Sequence, residues 1–270
     1  GKVVRVIGFG DSFTAGEGTD NQYVEQLSTF EEIEKYQKEH SWPRYLADKI
    51  GVKYVNNGEV GSSNYRIFSN IFEQFAQNNI NNDDLVVIMW SSPLRDPLPF
   101  FPHMFSRTSP IGLSWSMKEL MSQDTQGWKH RYYEHYGKTE KSEIKYIEND
   151  LLKFMEEYFP FYVENLHDES YYKQLNTNYI VLLKKYLESK GMDYIMCDAF
   201  EQLSYDKELV DTTNYYNHQT TYEFLVKNGG DVFETGPTFP KSRTKHPNTT
   251  GHELIAEELF RFYESIYRIR

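Results

Sequence analysis

The chain has 270 residues, 39% of them hydrophobic and 26% charged, which suits one folded core carrying insertions; Cys197 is the only cysteine, so no intrachain disulfide forms. A formal net charge of −11 argues against a nucleic-acid partner and against docking on anionic lipid, since both need a basic surface. No run approaches the apolar length of a membrane span, no signal-peptide pattern is visible, and 22 Tyr with 18 Phe point to an aromatic core.

In chain order, Val3-Val4-Arg5-Val6-Ile7 reads as a buried β-strand because its β-branched residues suit a pleated surface. It runs into Gly8-Phe9-Gly10-Asp11-Ser12-Phe13-Thr14-Ala15-Gly16, a glycine-bracketed turn in which the glycines permit positive φ and leave space above one serine. Residues 17–41 are polar and acid-rich, with a short helix expected around Glu25–Lys38. Trp42-Pro43 starts a helix to Ile50 that Gly51 stops, and Val52–Asn56 is a second strand. Asn64–Ala76 has helical spacing through Ile67, Ile71 and Phe75, and Leu85–Met89 is a third, fully apolar strand. Residues 93–169 open on a proline-rich stretch that forbids regular structure and continue with a helix expected around 143–158. Ser170–Lys190 is a long helix with Leu175, Tyr179, Leu182, Leu183, Tyr186 and Leu187 inward, followed by a strand at Tyr194–Cys197. A fifth short strand is expected near Asp231-Val232-Phe233, and the last helix runs from Gly251 to about Tyr267. Strands alternating with helices predict an α/β fold, a three-layer α/β/α arrangement on a flavodoxin-like parallel sheet.

A serine at the C-terminal edge of a parallel strand sits where open α/β sheets place their ligands. Its ordinary reading is a helix cap, with Asp11 or Ser12 accepting backbone N–H bonds. The functional reading gains from Lys245-His246-Pro247-Asn248-Thr249-Thr250-Gly251-His252 before the last helix, because a serine nucleophile needs a base and histidine is the usual one. Gly10-Asp11-Ser12-Phe13-Thr14-Ala15-Gly16 resembles the first block of the SGNH (GDSL-type) hydrolases, and His246-Pro247-Asn248 with Gly251-His252 resembles their last block. Ser41-Trp42-Pro43-Arg44-Tyr45-Leu46-Ala47 is similar to the segment opening that family's first helix, and Asn56-Asn57-Gly58-Glu59-Val60-Gly61-Ser62-Ser63 resembles its second block. These stretches occur in the family's order and together span the chain.

The resemblance implies Ser12 as nucleophile, His246 as base, and an oxyanion hole from the backbone N–H groups of Ser12 and Gly61. Two departures stand out. Where the family has glycine, any residue, then asparagine, this chain has Trp90-Ser91-Ser92, which puts the Ser92 hydroxyl at the asparagine's place. Where the family has aspartate three residues before the histidine, this chain has Arg243, and no carboxylate lies between Gly236 and His246. A dyad oriented by a backbone carbonyl is the simplest reading, with Asp231 or Glu234 as orienting carboxylates reaching in from farther back. Asp11 is assigned to holding the turn.

The chain is read as one domain over 1–270, with insertions over 17–41 and 93–169 near the active-site face. The expected function is hydrolysis of an ester, an O-acetyl or other short acyl group on a small-molecule or carbohydrate substrate, with no cofactor. The alternatives are a glycan-binding or structural module, such as a phage virion component, that keeps the hydrolase fold without catalysis, and an O-acyltransferase that excludes water. Nucleotide binding is disfavoured because residue 13, the third glycine position of a dinucleotide loop, is Phe13, and no Gly-Lys-Ser/Thr occurs. Metal binding is disfavoured because His130, His135, His246 and His252 lack compact ligand spacing. His252 is read as structural and Cys197 as a core thiol.

Overall fold

The structure is a computed structural model that describes residues 2–24, 26–93, 165, 168–234 and 246–268. A five-stranded parallel sheet forms from β1 (Arg5–Phe9), β2 (Lys53–Asn56), β3 (Asp84–Trp90), β4 (Asp193–Asp198) and β5 (Tyr215–Tyr216) in the order β2-β1-β3-β4-β5. The chain leaves β1 toward one edge and returns on its other side as β3, so the order reverses between them, and a crevice opens beyond their carboxyl ends. The helices in chain order are α1 (Ser12–Ala15), α2 (Asn21–Val24), α3 (Phe30–Glu39), α4 (Trp42–Ile50), α5 (Asn64–Ala76), α6 (Glu169–Ser189), α7 (Thr221–Asn228) and α8 (Thr249–Tyr267).

Strand alternation divides the core into two layers. Val6, Leu85, Val87, Met89, Ile195 and Cys197 face a layer built on Trp42 and Leu46 of α4, Leu225 of α7 and Ile255 and Leu259 of α8. Ile7, Phe9, Val86, Ile88, Trp90 and Met196 face the other, built on Ile67 and Ile71 of α5 and Ile180, Leu183 and Leu187 of α6. β3 is buried at every residue, as a central parallel strand covered on both faces must be. Gly8 on β1 lets α4 lie close, because a Cβ there would meet Pro43 Cγ at 2.7 Å.

Several expectations need correction. The helix expected from Glu25 starts at Phe30, where the Thr29 hydroxyl caps the Glu32 N–H. The long helix turns Leu182 to solvent at 55% exposure, because Tyr172, Asn176, Ile180, Leu183 and Leu187 define its buried stripe. The fifth strand is Tyr215–Tyr216 rather than 231–233, which instead forms a single antiparallel bridge, Phe233 to Pro247. Nearly all of 93–169, including its expected helix, His130 and His135, lies outside the described residues, as does Arg243.

Candidate active site

Ser12 is the first residue of α1, held in place from several directions. Asp11 Oδ1 accepts the Phe13 N–H at 2.9 Å and capping the helix start, while its Oδ2 accepts the Ser91 hydroxyl at 2.7 Å from the end of β3. Asp11 therefore ties the loops after β1 and β3 together, the turn-holding part expected of it. At the other end of α1, the Thr14 carbonyl accepts both the Ser41 hydroxyl and the Asn56 amide, each at 2.7 Å. Positive φ is needed at Gly16 (+89°) and Gly18 (+96°), whereas Gly10 is needed for space, a Cβ there falling 2.1 Å from Thr14 Oγ1.

The base candidate arrives from the far end of the chain. His246 Nε2 lies 3.0 Å from Ser12 Oγ, and Nδ1 lies 3.2 Å from Glu234 Oε1. The bridge sets this pairing: the Glu234 N–H donates to the His246 carbonyl at 2.8 Å and the Asn248 N–H to the Val232 carbonyl at 2.9 Å. Glu234 thus stands directly opposite His246, and its side chain is 6% exposed. Asp231 turns elsewhere, its Oδ1 accepting the Asn248 amide at 3.2 Å while Asn248 Oδ1 caps α8 at the Gly251 N–H. A side-chain carboxylate, rather than a backbone carbonyl, therefore faces Nδ1. With Nδ1–H donating to Glu234, Nε2 is left to accept the Ser12 hydroxyl. Gly18 packs under this pair: a Cβ would meet His246 Cβ at 2.7 Å and Glu234 Cβ at 3.3 Å.

The rim brings further groups together. Gly61, φ +76°, lies in the loop after β2, which runs alongside the nucleophile turn through the Glu59 N–H to the Gly10 carbonyl at 3.0 Å. Ser92 is 6% exposed, and its hydroxyl donates to Glu201 Oε1 at 3.3 Å. Asn64 clamps the loop after β3, accepting the Ser91 N–H at 2.7 Å and donating to the Ser91 carbonyl at 3.1 Å. The Phe13 ring meets the His246 ring edge-on at 5.8 Å and Phe200 at 6.3 Å, and Phe200 is 43% exposed. Glu17 Oε2 lies 3.4 Å from His246 Nε2. Glu17, Asn64 and Glu201 were missed from sequence. The helix start at Ser63-Asn64 was visible, but not the contact it makes 27 residues away.

Burial opposes a charge on His246, but Glu17 and Glu234, with Asp11 behind them, outweigh it and hold the imidazole above the usual histidine range. His252 is fully buried and structural: its Nδ1 accepts the Trp42 N–H at 3.2 Å, capping α4 from α8. Burial first, and the neighbouring His246 second, push its pKa down to about 3, so it is neutral. Cys197 is buried in the core, which raises its thiol well above the usual range. Among the described residues, no group of three or more His, Cys, Asp or Glu is placed to hold a metal, and no helix is long and apolar enough to cross a membrane.

A family of unknown function (DUF6071) matches residues 21–101. No curated protein matches. Among solved structures, the chain is similar to a lipolytic protein of the G-D-S-L family from Desulfitobacterium hafniense DCB-2, at 14% identity, TM-score 0.34 and coverage of 96% of this chain and 99% of that one. A G-D-S-L lipolytic protein from Veillonella parvula DSM 2008 is similar at 15% identity and TM-score 0.34, covering 96% and 97%. A carbohydrate esterase whose active site displays divergent catalytic and non-catalytic binding functions is similar at 12% identity and TM-score 0.39, covering 100% of this chain and 70% of that one.

Proposed function

We propose that the protein is a serine hydrolase acting on an ester, an O-acetyl or short acyl group on a carbohydrate. One observation carries the reading: Ser12 Oγ lies 3.0 Å from His246 Nε2, whose other ring nitrogen lies 3.2 Å from the Glu234 carboxylate. Nucleophile, base and orienting acid are thus in the order that activates a serine. Ser12 Oγ attacks the carbonyl carbon as its proton passes to Nε2, and the imidazolium then gives that proton to the departing alcohol oxygen. Water attacks the acyl-enzyme by the same route, releasing the acid and restoring Ser12. Glu234 holds the ring and stabilises its charged form.

The Ser12 and Gly61 N–H groups are the proposed oxyanion donors, with Ser92 assisting once its proton turns from Glu201. Each such donor is typically worth about 3 kcal/mol. The exposed Phe200, its ring tilted 41° to that of Tyr222 at 4.5 Å and edge-on to Phe13, supplies an apolar wall beside the nucleophile turn and supports a sugar-bearing substrate. The reaction calls for no cofactor.

Labelling by a fluorophosphonate probe tests this reading. The native protein should react, and Ser12→Ala and His246→Ala should not. A folded native protein that stays unlabelled over pH 5–9 would favour a glycan-binding module that keeps the fold without the chemistry.

A further inference from the structure

Two carboxylates reach the imidazole of His246, one at each nitrogen. Glu234 Oε1 lies 3.2 Å from Nδ1, and Glu17 Oε2 lies 3.4 Å from Nε2, the nitrogen that also faces Ser12 Oγ at 3.0 Å. A neutral imidazole has one N–H. If Glu234 takes it, Nε2 turns a lone pair toward both the Ser12 hydroxyl, which can donate, and the Glu17 carboxylate, which cannot. Only the imidazolium offers a donor to each carboxylate.

Glu17 is held in that place by the backbone. It sits between Gly16 and Gly18, both at positive φ, and its N–H donates to the Ser12 carbonyl at 3.2 Å. The turn that carries the nucleophile therefore also carries this carboxylate. The Glu17 side chain, 34% exposed, meets solvent on the Nε2 side of the ring, whereas Glu234 at Nδ1 is 6% exposed.

The titratable groups around the ring are Asp11 and Glu17 from the nucleophile turn, Glu234 from the bridge, and His252 from α8. Three of the four are carboxylates. His252 is neutral and adds no positive charge to oppose them.

We propose that Glu17 is a positioning residue that sets the pH at which His246 becomes a base, by holding the Nε2 proton in an ion pair at the mouth of the site. As pH rises that proton leaves to water, and Nε2 then accepts from Ser12. Glu234 alone orients the ring; Glu17 delays its use. That consequence for catalysis rests on the proposed hydrolase reading, but the ion pair itself does not.

Ring ¹⁵N chemical shifts followed against pH separate the two. The histidine signal lost in His246→Ala is compared in native protein, Glu17→Gln and Glu17→Asp. The expected result is a native midpoint above that of free histidine, a lower one in Glu17→Gln, and a return toward native in Glu17→Asp. An unchanged midpoint in Glu17→Gln, or a native midpoint at or below that of free histidine, overturns the proposal. Fluorophosphonate labelling rates run in parallel, with Glu17→Gln expected to label roughly threefold faster or more at pH 5.5. If nothing labels but the midpoint still moves, the ion pair stands and the hydrolase reading falls. If native protein labels and the rate profile ignores Glu17→Gln, the proposal falls and the hydrolase reading stands.

Discussion

Replacing Glu234 by glutamine removes the carboxylate beside His246 Nδ1 while keeping the size of the side chain. An amide can present its N–H₂ to the ring and select the tautomer that leaves Nε2 protonated, so turnover should fall by about 10²- to 10⁴-fold. Glu234→Asp should retain more activity than Glu234→Gln, and steady-state hydrolysis of an activated aryl ester measures both. Ser12 and His246 were legible in the sequence because each lies in a short local pattern. Glu234 was legible only as one of two candidates, since the choice over Asp231 depends on the Phe233–Pro247 bridge, a pairing between segments. Glu17 was not legible at all. Nothing local says that the residue after Gly16 folds back toward a histidine 229 positions later (246 − 17).

Among the elements, β4 and β5 are joined by a buried carboxyl. Asp198 Oδ1 accepts the Tyr215 hydroxyl at 2.5 Å at the carboxyl end of β4. Burial drives its pKa up to about 7, against the lowering effect of the Tyr215 hydroxyl and the Leu203 N–H. A carboxyl raised on folding stabilises the fold fully below its unfolded value near 4 and loses that contribution as pH climbs to about 7. The difference is worth up to about 4 kcal/mol. Asp198→Asn should therefore make the urea midpoint rise more, or fall less, between pH 4 and 7 than in the native protein; an unaltered slope would contradict the assignment. Helices α4, α5, α6 and α8 and the central strands were readable because each is long enough to show its period, whereas α1, α2 and the eight-residue α7 were not read from the sequence. β5 has two residues and owes its strand character to Met196 and Cys197 beside it, which no period reveals. Leu182 was misplaced because α6 carries apolar residues on more than one face, and only its packing partners choose between them.

For the molecule as a whole, His252 works in the opposite direction to Asp198. Its folded pKa of about 3 lies below the ordinary histidine value, so its contribution is complete above pH about 6.5 and is lost as pH falls toward 3. His246, held above the ordinary value, contributes below pH about 6.5 and loses that contribution as pH rises through its folded value. Between pH 4 and about 6.5 the gain from His252 and the loss from Asp198 therefore oppose each other, and above pH about 6.5 the loss from His246 is added to that from Asp198. His252→Gln should weaken the acid limb while costing about 1–3 kcal/mol at pH 7 through poorer capping of α4, read from urea midpoints at pH 5 and pH 7. The three-layer architecture was legible from the order of strands and helices, while the tie from α8 to the start of α4 joins segments 210 residues apart and left no local trace. Ser12 and His246 are separated even farther, by 234 residues. A ribosome adding about 5–20 residues per second needs roughly 10–50 s to travel from one to the other. During that interval the growing chain carries Ser12 without its proposed base, so on the proposed hydrolase reading the order of synthesis itself keeps the serine unactivated until His246 has been added.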